Sequence, residues 1–241
     1  MQFAKTACCQ FAEIAQHVSP VHRDKLQVTG CPIRGDICGL SVTESSRAEA
    51  MKRLFLDASL KTLVVTGASL GAKTVNDAVL EALKGMNLDG WQILHLSGRD
   101  HADAVRAGYR ELAIQARVVD FTAEMADVWL VADVAVSRSG ASSCAELTAC
   151  GIPSILMPYP YHKDLHQRAN AKVLADGGAA VLLDDEKDRR RNGDKLRPIL
   201  ESLLHDESRR KSMGAAAKKL GHPDAANRVA QVLTQLAQVS R

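Results

Sequence analysis

Short apolar segments alternate with longer helical patterns along most of this sequence, and that alternation limits the folds open to the chain. Apolar and β-branched residues favour a buried strand at residues 62–66, and the helix expected after residue 72 places Val75, Val79 and Leu83 at core spacing. Repeated strand–helix alternation predicts an α/β fold, a doubly wound parallel sheet of the Rossmann-like kind with helices on both faces. The segments expected to form strands are residues 62–66, 91–98 with their turn, 116–121, 128–136, 152–157 and 179–183.

The turn after the fourth of these strands is small and polar, with the sequence S-R-S-G-A-S-S-C-A-E at residues 137–146. A helix is expected to begin at Ala145, and a helix start favours negative charge because its first N–H groups lack intrahelical partners. Arg138 would place a bidentate cation beside a phosphate, and Glu146 could accept hydrogen bonds from the two hydroxyls of a ribose. The alternative is an ordinary strand-to-helix turn with Ser142 as its cap. The turn residues expected to meet the phosphate are Gly140, Ala141 and Ser142.

A second polar segment, residues 158–170, follows the next predicted strand. Open α/β sheets bind ligands beyond the carboxyl ends of neighbouring strands, so this segment is expected to face the same ligand. His162 and His166 could share a helix face and ligate zinc, but a third ligand is not evident and Lys163 would repel a cation. Hydrogen-bonding roles are therefore favoured, and neither a metal nor another cofactor is expected.

Six spaced motifs, in family order, resemble the C-terminal domain of the MurG family of bacterial transferases, glycosyltransferase family 28. The resemblance covers roughly residues 25–183, which makes it far more specific than any one motif. The motifs are V-T-G-C-P-I-R (28–34), G-A-S-L-G-A-K (67–73), V-V-D-F-T-A-E-M-A (118–126), S-R-S-G-A-x-x-x-x-E (137–146), G-I-P-x-I-L-x-P (151–158) and H-K-D-x-x-Q-x-x-N-A (162–171).

The resemblance implies one half of a GT-B glycosyltransferase, the half that binds UDP-N-acetylglucosamine. The other half binds a lipid-linked acceptor of peptidoglycan synthesis and carries the general base, and direct displacement inverts the sugar. Residues 1–34 would be the remnant of that N-terminal acceptor domain with its linker, and residues 35–241 the nucleotide-sugar-binding domain. The chain would then act as a hexosyltransferase only with a separate acceptor subunit. The alternative is a non-catalytic nucleotide-sugar-binding protein from a shortened reading frame.

The resemblance also assigns site residues. Arg34 would face the diphosphate, Ser69 and Gly71 the donor phosphates or sugar, and main-chain groups near Thr122 the uracil edge. No catalytic base is assigned. The chain departs from the family pattern at Cys31, Ala68 and His166, where Asn, Gly and Gln are usual. The other residues expected at the donor are Phe121 and Met125 near the base, and His166, Gln167 and Asn170 near the sugar hydroxyls.

Two other nucleotide-binding classes were weighed against this hypothesis. G-A-S-L-G-A-K-T is one residue from a P-loop, with Ala72 where the second glycine is needed, and no strand ends in a convincing magnesium-binding Asp. A NAD-type Rossmann enzyme is disfavoured because no G-x-G-x-x-G follows the first strand of the predicted sheet. His95, within an apolar strand, is expected to be a hydrogen-bonded core histidine.

Composition limits the classes of binding partner and the cellular compartment that can be expected for this chain. A net charge of +3 with dispersed basic residues gives no support for nucleic acid. The six cysteines include no C-x-x-C pair, which favours reduced thiols in a cytosol. Neither a signal peptide nor a long apolar stretch is evident. A cytoplasmic protein is expected, with peripheral contact to the inner face of the plasma membrane through a few exposed basic residues.

Overall fold

The computed structural model describes residues 4–67, 71–161 and 165–239. The strands in these ranges are β1 (Ala7–Cys9), β2 (Leu26–Val28), β3 (Lys61–Thr66), β4 (Trp91–Leu96), β5 (Ala116–Val119), β6 (Ala132–Ser137), β7 (Ser154–Leu156) and β8 (Ala180–Leu182). The helices are α1 (Gly35–Cys38), α2 (Glu44–Arg53), α3 (Lys73–Ala82), α4 (Ala102–Glu111), α5 (Met125–Val131), α6 (Ala141–Cys150), α7 (His166–Asp176), α8 (Arg189–His205), α9 (Glu207–Leu220) and α10 (Ala225–Val239).

Six strands form a parallel sheet in the order β5-β4-β3-β6-β7-β8. The chain runs outward from β3 to β5, then returns to place β6 on the other side of β3. This reversal is the switch point at which open α/β sheets form a ligand crevice. Thr66 pairs with Ser137, so the carboxyl ends of β3 and β6 lie side by side. The predicted doubly wound parallel sheet is confirmed.

Side chains of the central strand alternate between two apolar layers. Leu63 and Val65 join the layer that α3, α4 and α8 cover, whereas Val64 joins the layer under α2, α5, α6 and α7. All three are fully buried. A strand buried on both faces is apolar at successive positions, which is why β3 could be recognised from sequence.

The fourth strand begins later than expected. Residues 128–131 belong to α5, and β6 begins at Ala132. The expectation of a strand over residues 128–136 was wrong there because a short continuous apolar run fits a buried helix as well as a buried strand. Asp133 lies inside β6, where its Oδ2 accepts a 2.8 Å hydrogen bond from the Thr62 N–H and pairs with Arg47. The aspartate therefore joins β6 to the start of β3.

The N-terminal segment forms a two-stranded sheet of its own. β1 and β2 pair in parallel and are joined by two 3-10 turns. Phe11 is buried in the apolar layer under α6, and Gln10 Nε2 donates a 3.0 Å hydrogen bond to the Ala141 carbonyl. This segment thus packs on the Rossmann-like unit, and the division between residues 34 and 35 stays a prediction. Among the described residues, no helix combines the length and apolar character that a membrane crossing requires.

Candidate functional site

Gly71 and the start of α3 form one wall of the switch-point crevice. Gly71 has φ +74°, and a Cβ there would lie 2.1 Å from the Ser97 carbonyl oxygen. Glycine is therefore required both for its backbone conformation and for the close approach of this turn to the end of β4. No side chain caps α3, whose N-cap is Ala72. Ser69, expected to meet the donor, lies outside the described residues.

The start of α6 forms the facing wall. The N-cap is Gly140, no side chain caps the helix, and the space where its Cβ would stand is open. The helix begins at Ala141 rather than at the expected Ala145, so Ser142 lies in the first turn, exposed, and is not the cap. Uncapped N–H groups of a first turn favour an anion. The two helix starts at Lys73 and Ala141 thus follow adjacent strands.

Glu146 lies farther along α6, on a partly buried face. Its Oε2 accepts a 2.7 Å hydrogen bond from Trp129 Nε1. Burial raises the pKa of the Glu146 carboxyl, although Trp129 and the positive charge of Arg34 act in the opposite direction. The carboxyl group is thereby held in one orientation on the helix that begins at the crevice.

Arg34 joins the linker to the turn that follows β5. Its guanidinium pairs with Asp36 at 2.6 Å and donates to the Ala123 carbonyl. Hydrogen bonding to Asp36 raises the pKa of Arg34, which is exposed. Thr122, beside Ala123, accepts a 3.0 Å hydrogen bond from the Glu124 N–H through Oγ1. Arg34 thus contacts the turn near Thr122 and lies close enough to Glu146 for its charge to act on that carboxyl, and the roles of these residues toward a donor stay predictions.

The two apolar residues expected near the base differ in environment. Phe121 is 48% exposed, with the Arg99 guanidinium 5.6 Å from its ring centre, so it is not a core residue. Met125 begins α5 and packs against the apolar layer there. Phe121 is consequently the accessible residue of the pair, and its contact with a base stays a prediction.

Arg138 is buried, with 5% of its surface exposed. It donates 2.9 Å hydrogen bonds to the carbonyls of Met157 and Pro158, pairs with Asp185 at 2.9 Å and donates to Thr74 Oγ1 at 2.6 Å. Burial lowers the pKa of its guanidinium, and Asp185 offsets part of that effect. The expectation that Arg138 touches the diphosphate stays a prediction.

Gln167 and Asn170 bind neighbouring loops in this structure. Gln167 Oε1 accepts a 3.0 Å hydrogen bond from the Tyr159 N–H, and Asn170 Nδ2 donates at 3.1 Å to the Ser139 carbonyl. The Ser139 hydroxyl in turn donates to the Gln167 carbonyl at 2.9 Å. His166 begins α7 and is exposed. The loops after β6 and β7 are therefore joined where a sugar would be expected.

The zinc hypothesis involved residues 162–164, which lie outside the described ranges. Within the part of the chain that the structure describes, no group of three or more His, Cys, Asp or Glu side chains is placed to hold a metal ion.

His95 is a core histidine, as predicted. It is fully buried, with Nδ1 2.8 Å from the Tyr109 hydroxyl and Nε2 3.0 Å from Asn76 Oδ1. Asn76 Nδ2 donates to the Ser97 carbonyl at 3.0 Å, so its Oδ1 accepts from His95 and the ring proton lies on Nε2. Burial lowers the pKa of His95 to about 3, which keeps the ring neutral.

Sequence reasoning missed three residues that shape the crevice: Asp185, Thr74 and Trp129. Asp185 stands in a charged run of the kind typical of a solvated loop, yet its side chain is fully buried. Thr74 follows the P-loop-like glycine turn, a position that could have singled out its hydroxyl. Trp129 fell within the misassigned strand.

The doubly wound parallel sheet, with helices on both faces, has the Rossmann-like architecture of one half of a GT-B fold. Two solved structures share this fold. The crystal structure of Acinetobacter baumannii MurG has a TM-score of 0.72 at 23% identity and is matched over 97% of this chain and 61% of its own. A co-structure of S. aureus MnaA with UDP has a TM-score of 0.68 at 12% identity, over 98% of this chain and 62% of its own.

Sequence comparison gives the family. The family model described as the glycosyltransferase family 28 C-terminal domain matches residues 62–229, and the chain belongs to this family. Curated relatives include the enzymes named UDP-N-acetylglucosamine–N-acetylmuramyl-(pentapeptide) pyrophosphoryl-undecaprenol N-acetylglucosamine transferase. The Halothermothrix orenii enzyme is 33% identical over 99% of this chain, and the Thiobacillus denitrificans enzyme is 37% identical over 91% of it. The chain spans 64% and 56% of the lengths of these two relatives.

Proposed function

We propose that this chain is the donor-binding half of an inverting GT-B hexosyltransferase. It binds UDP-N-acetylglucosamine for transfer to a lipid-linked acceptor in cell-wall precursor synthesis. The acceptor site and the general base belong to a further domain or a separate subunit. The relatives named above act as that whole, and this chain matches 64% of the first of them.

The adjacent starts of α3 and α6 carry the proposal. Both follow strands that meet at the switch point, and neither is capped by a side chain. A nucleoside diphosphate offers two phosphates to these helix starts and a ribose to Glu146, one to two turns along α6. Arg34 lies near Glu146 and supplies a positive charge on the same side. Arg34 and Glu146 thus have separate roles toward one ligand.

In the proposed sugar transfer, the donor half must stabilise the leaving group. Displacement at the sugar carbon breaks the bond to the diphosphate, which then gains negative charge. Preorganised N–H groups and cations stabilise that charge more in the transition state than in the ground state. This half therefore contributes to the rate by holding UDP and the sugar in place while the other half activates the acceptor hydroxyl.

Calorimetric titration tests the donor assignment directly. UDP and UDP-N-acetylglucosamine should bind at one site per chain, UDP-glucose more weakly and NAD not at all. Glu146→Gln keeps the size of the side chain and removes its charge, and it should weaken UDP binding. Glu201→Gln makes the same change at an exposed carboxylate on α8, and this matched control should bind UDP as the unaltered chain does. Failure of UDP to bind the unaltered, folded chain contradicts the proposal.

A second experiment separates a half-enzyme from a binding protein without turnover. A separately expressed family acceptor domain is added to this chain with UDP-N-acetylglucosamine and a lipid-linked acceptor, and sugar transfer is followed. The acceptor domain alone and this chain alone are the controls. Transfer only in the mixture supports the half-enzyme, and UDP binding without transfer supports the binding protein.

The lipid-linked acceptor also sets the place of action. We expect the assembled enzyme to work in the cytoplasm at the inner face of the plasma membrane. Flotation with anionic vesicles, with and without the acceptor domain, measures whether this chain contributes to that contact.

A further inference from the structure

A buried polar network joins four loops at the carboxyl edge of the sheet. At its centre is the Asp185 carboxylate, whose side chain is fully buried. Its Oδ2 accepts from Arg138 at 2.9 Å and from the Thr74 hydroxyl, and its Oδ1 accepts from Asn192 Nδ2 and from the Lys187 N–H, each at 2.8 Å. A carboxylate with this many donors is fixed in position.

Thr74 connects this network to the crevice. It is the second residue of α3, and its hydroxyl accepts from Arg138 and donates to Asp185. A hydroxyl has one proton to donate, so these two partners define its orientation. Because α3 has no side-chain cap, its first turn is held to the rest of the carboxyl edge by this threonine.

Arg138 is placed for positioning and not for contact with a ligand. Tyr159 covers the guanidinium, with its ring centre 5.6 Å from Cζ. The NH1 group of Arg138 donates hydrogen bonds to two main-chain carbonyls and to Asp185. Its Nε is buried and has no hydrogen-bond partner among the described residues. A phosphate at NH1 or NH2 would have to compete with these partners and with Thr74.

A buried ion pair is costly to desolvate, which makes its presence here informative. Burial would raise the pKa of Asp185, but the hydrogen bonds from Thr74, Lys187, Asn192 and Arg138 outweigh it and the pKa is lowered. Such pairs add little net stability compared with apolar side chains of similar size, and they can fix one geometry among several. The geometry fixed here is that of the first turn of α3.

We infer that Arg138 and Asp185 are positioning residues for the nucleotide diphosphate, acting through Thr74 on the start of α3. This inference rests on the proposed function. Arg138 then acts on the phosphate indirectly, because it holds the N–H groups of α3 at the crevice. A direct contact between the guanidinium and the phosphate is the competing outcome.

The test compares Thr74→Val, Asp185→Asn and Arg138→Lys in UDP titration. Thr74→Val removes only the hydroxyl and leaves the arginine, and it should weaken UDP binding about tenfold, as expected for loss of a hydrogen bond to a charged group. Asp185→Asn should weaken binding similarly. The double variant Thr74→Val/Arg138→Lys should be little worse than the poorer single variant, because both changes break one network.

Arg210→Lys is the matched control for a buried arginine. Arg210 donates to the Leu203 and Leu204 carbonyls, away from the crevice. Its variant should lose thermal stability and keep UDP affinity. Amide exchange of residues 73–77, measured without ligand, should rise in the three network variants and not in Arg210→Lys.

The outcomes separate the two proposals. If Asp185→Asn binds UDP as well as or better than the unaltered chain while Arg138→Lys binds poorly, the guanidinium contacts phosphate and the inference is wrong. Unchanged UDP affinity in all three variants also overturns it, and leaves the donor assignment intact. Absence of UDP binding to the unaltered chain contradicts the proposed function, and unchanged exchange at residues 73–77 then removes the network role as well.

Discussion

Trp129 donates a 2.7 Å hydrogen bond to the Glu146 carboxylate across the α5–α6 contact. The indole belongs to a helix packed under the crevice, and the carboxylate belongs to the helix that begins at it. The tryptophan therefore orients the group proposed to hold the ribose. This pairing leads to a test that a change of Glu146 alone would not provide.

Trp129→Phe should weaken UDP binding while it keeps most of the ring packing. It removes the N–H donor, so the pKa of Glu146, already raised by burial, should rise further. Because the ionised carboxylate accepts from the ribose hydroxyls, UDP affinity should fall as pH drops through this pKa, and should begin to fall at higher pH in the variant. Titrations from about pH 4.5, near the ordinary pKa of a glutamate, up to about pH 7.5 measure the shift. Identical pH profiles would contradict the ribose role.

Glu146→Gln should remove the preference for ribose over deoxyribose. The unaltered chain should bind UDP about tenfold more tightly than 2′-deoxy-UDP, since one charged hydrogen bond is lost. The variant should bind the two nucleotides within about twofold of each other, because a neutral amide accepts more weakly. Paired calorimetric titrations measure the ratio. A preference that survives the substitution would place the ribose elsewhere.

Arg138→Ala should lower turnover in the reconstituted enzyme by about one to three orders of magnitude. It should also destabilise the fold by about 3 to 5 kcal/mol, because the Asp185 carboxylate is left buried without its cation. The double variant Arg138→Ala/Asp185→Ala should recover part of that stability. Denaturant unfolding of the three proteins, together with turnover assays below their melting temperatures, separates the two effects. Unchanged turnover would show that Arg138 has no part in the site.

Gly71→Ala should cost more stability than Gly85→Ala. Both glycines have positive φ, +74° and +65°, so both substitutions carry the same kind of backbone strain. Only at Gly71 would the new Cβ meet another atom, the Ser97 carbonyl oxygen, whereas nothing lies within 4 Å at Gly85. The difference in unfolding free energy measures that contact, and UDP affinity should fall only in Gly71→Ala. Equal effects would mean that the turn can move away from β4.

His95 should make stability fall in acid. Its pKa in the folded protein is about 3, below the ordinary value of 6.5, so the unfolded chain binds the extra proton first. The unfolding free energy should therefore decrease as pH falls from about 6.5 towards 3, by up to about 1.4 kcal/mol per pH unit. His95→Gln keeps a donor and an acceptor and should lose this component. The slope is measured by denaturant titration of both proteins across that range.

The fold was largely readable from sequence because its signals are local. β3 was predicted within one residue, since an apolar β-branched run between polar turns has few other interpretations. The apolar run before Ser137 was misjudged over residues 128–131, where helix and strand bury similar side chains. The start of α6 was placed four residues late because its first turn is made of small polar residues that also form loops.

The site was only partly readable, because its support depends on contacts across the fold. Arg138 stood out through its motif, but its partner Asp185 is 47 residues away and Thr74 is 64 residues away. No local pattern distinguishes a buried aspartate in a charged run from its exposed neighbours. Trp129 likewise meets Glu146 only through helix packing. Motifs therefore indicated the ligand-facing groups, and the structure was needed to find what holds them.

The packing of Phe11 and Gln10 has a practical consequence for fragment design. Phe11 fills part of the apolar layer beneath α6, and Gln10 bonds to the first residue of that helix. An expression fragment that begins at residue 35 would lose both residues. Apolar surface directly below the helix proposed to meet phosphate would then be exposed to solvent. Shortening the N-terminus would therefore alter the support of the proposed donor site. Binding constants measured on such a fragment would not apply to the whole chain.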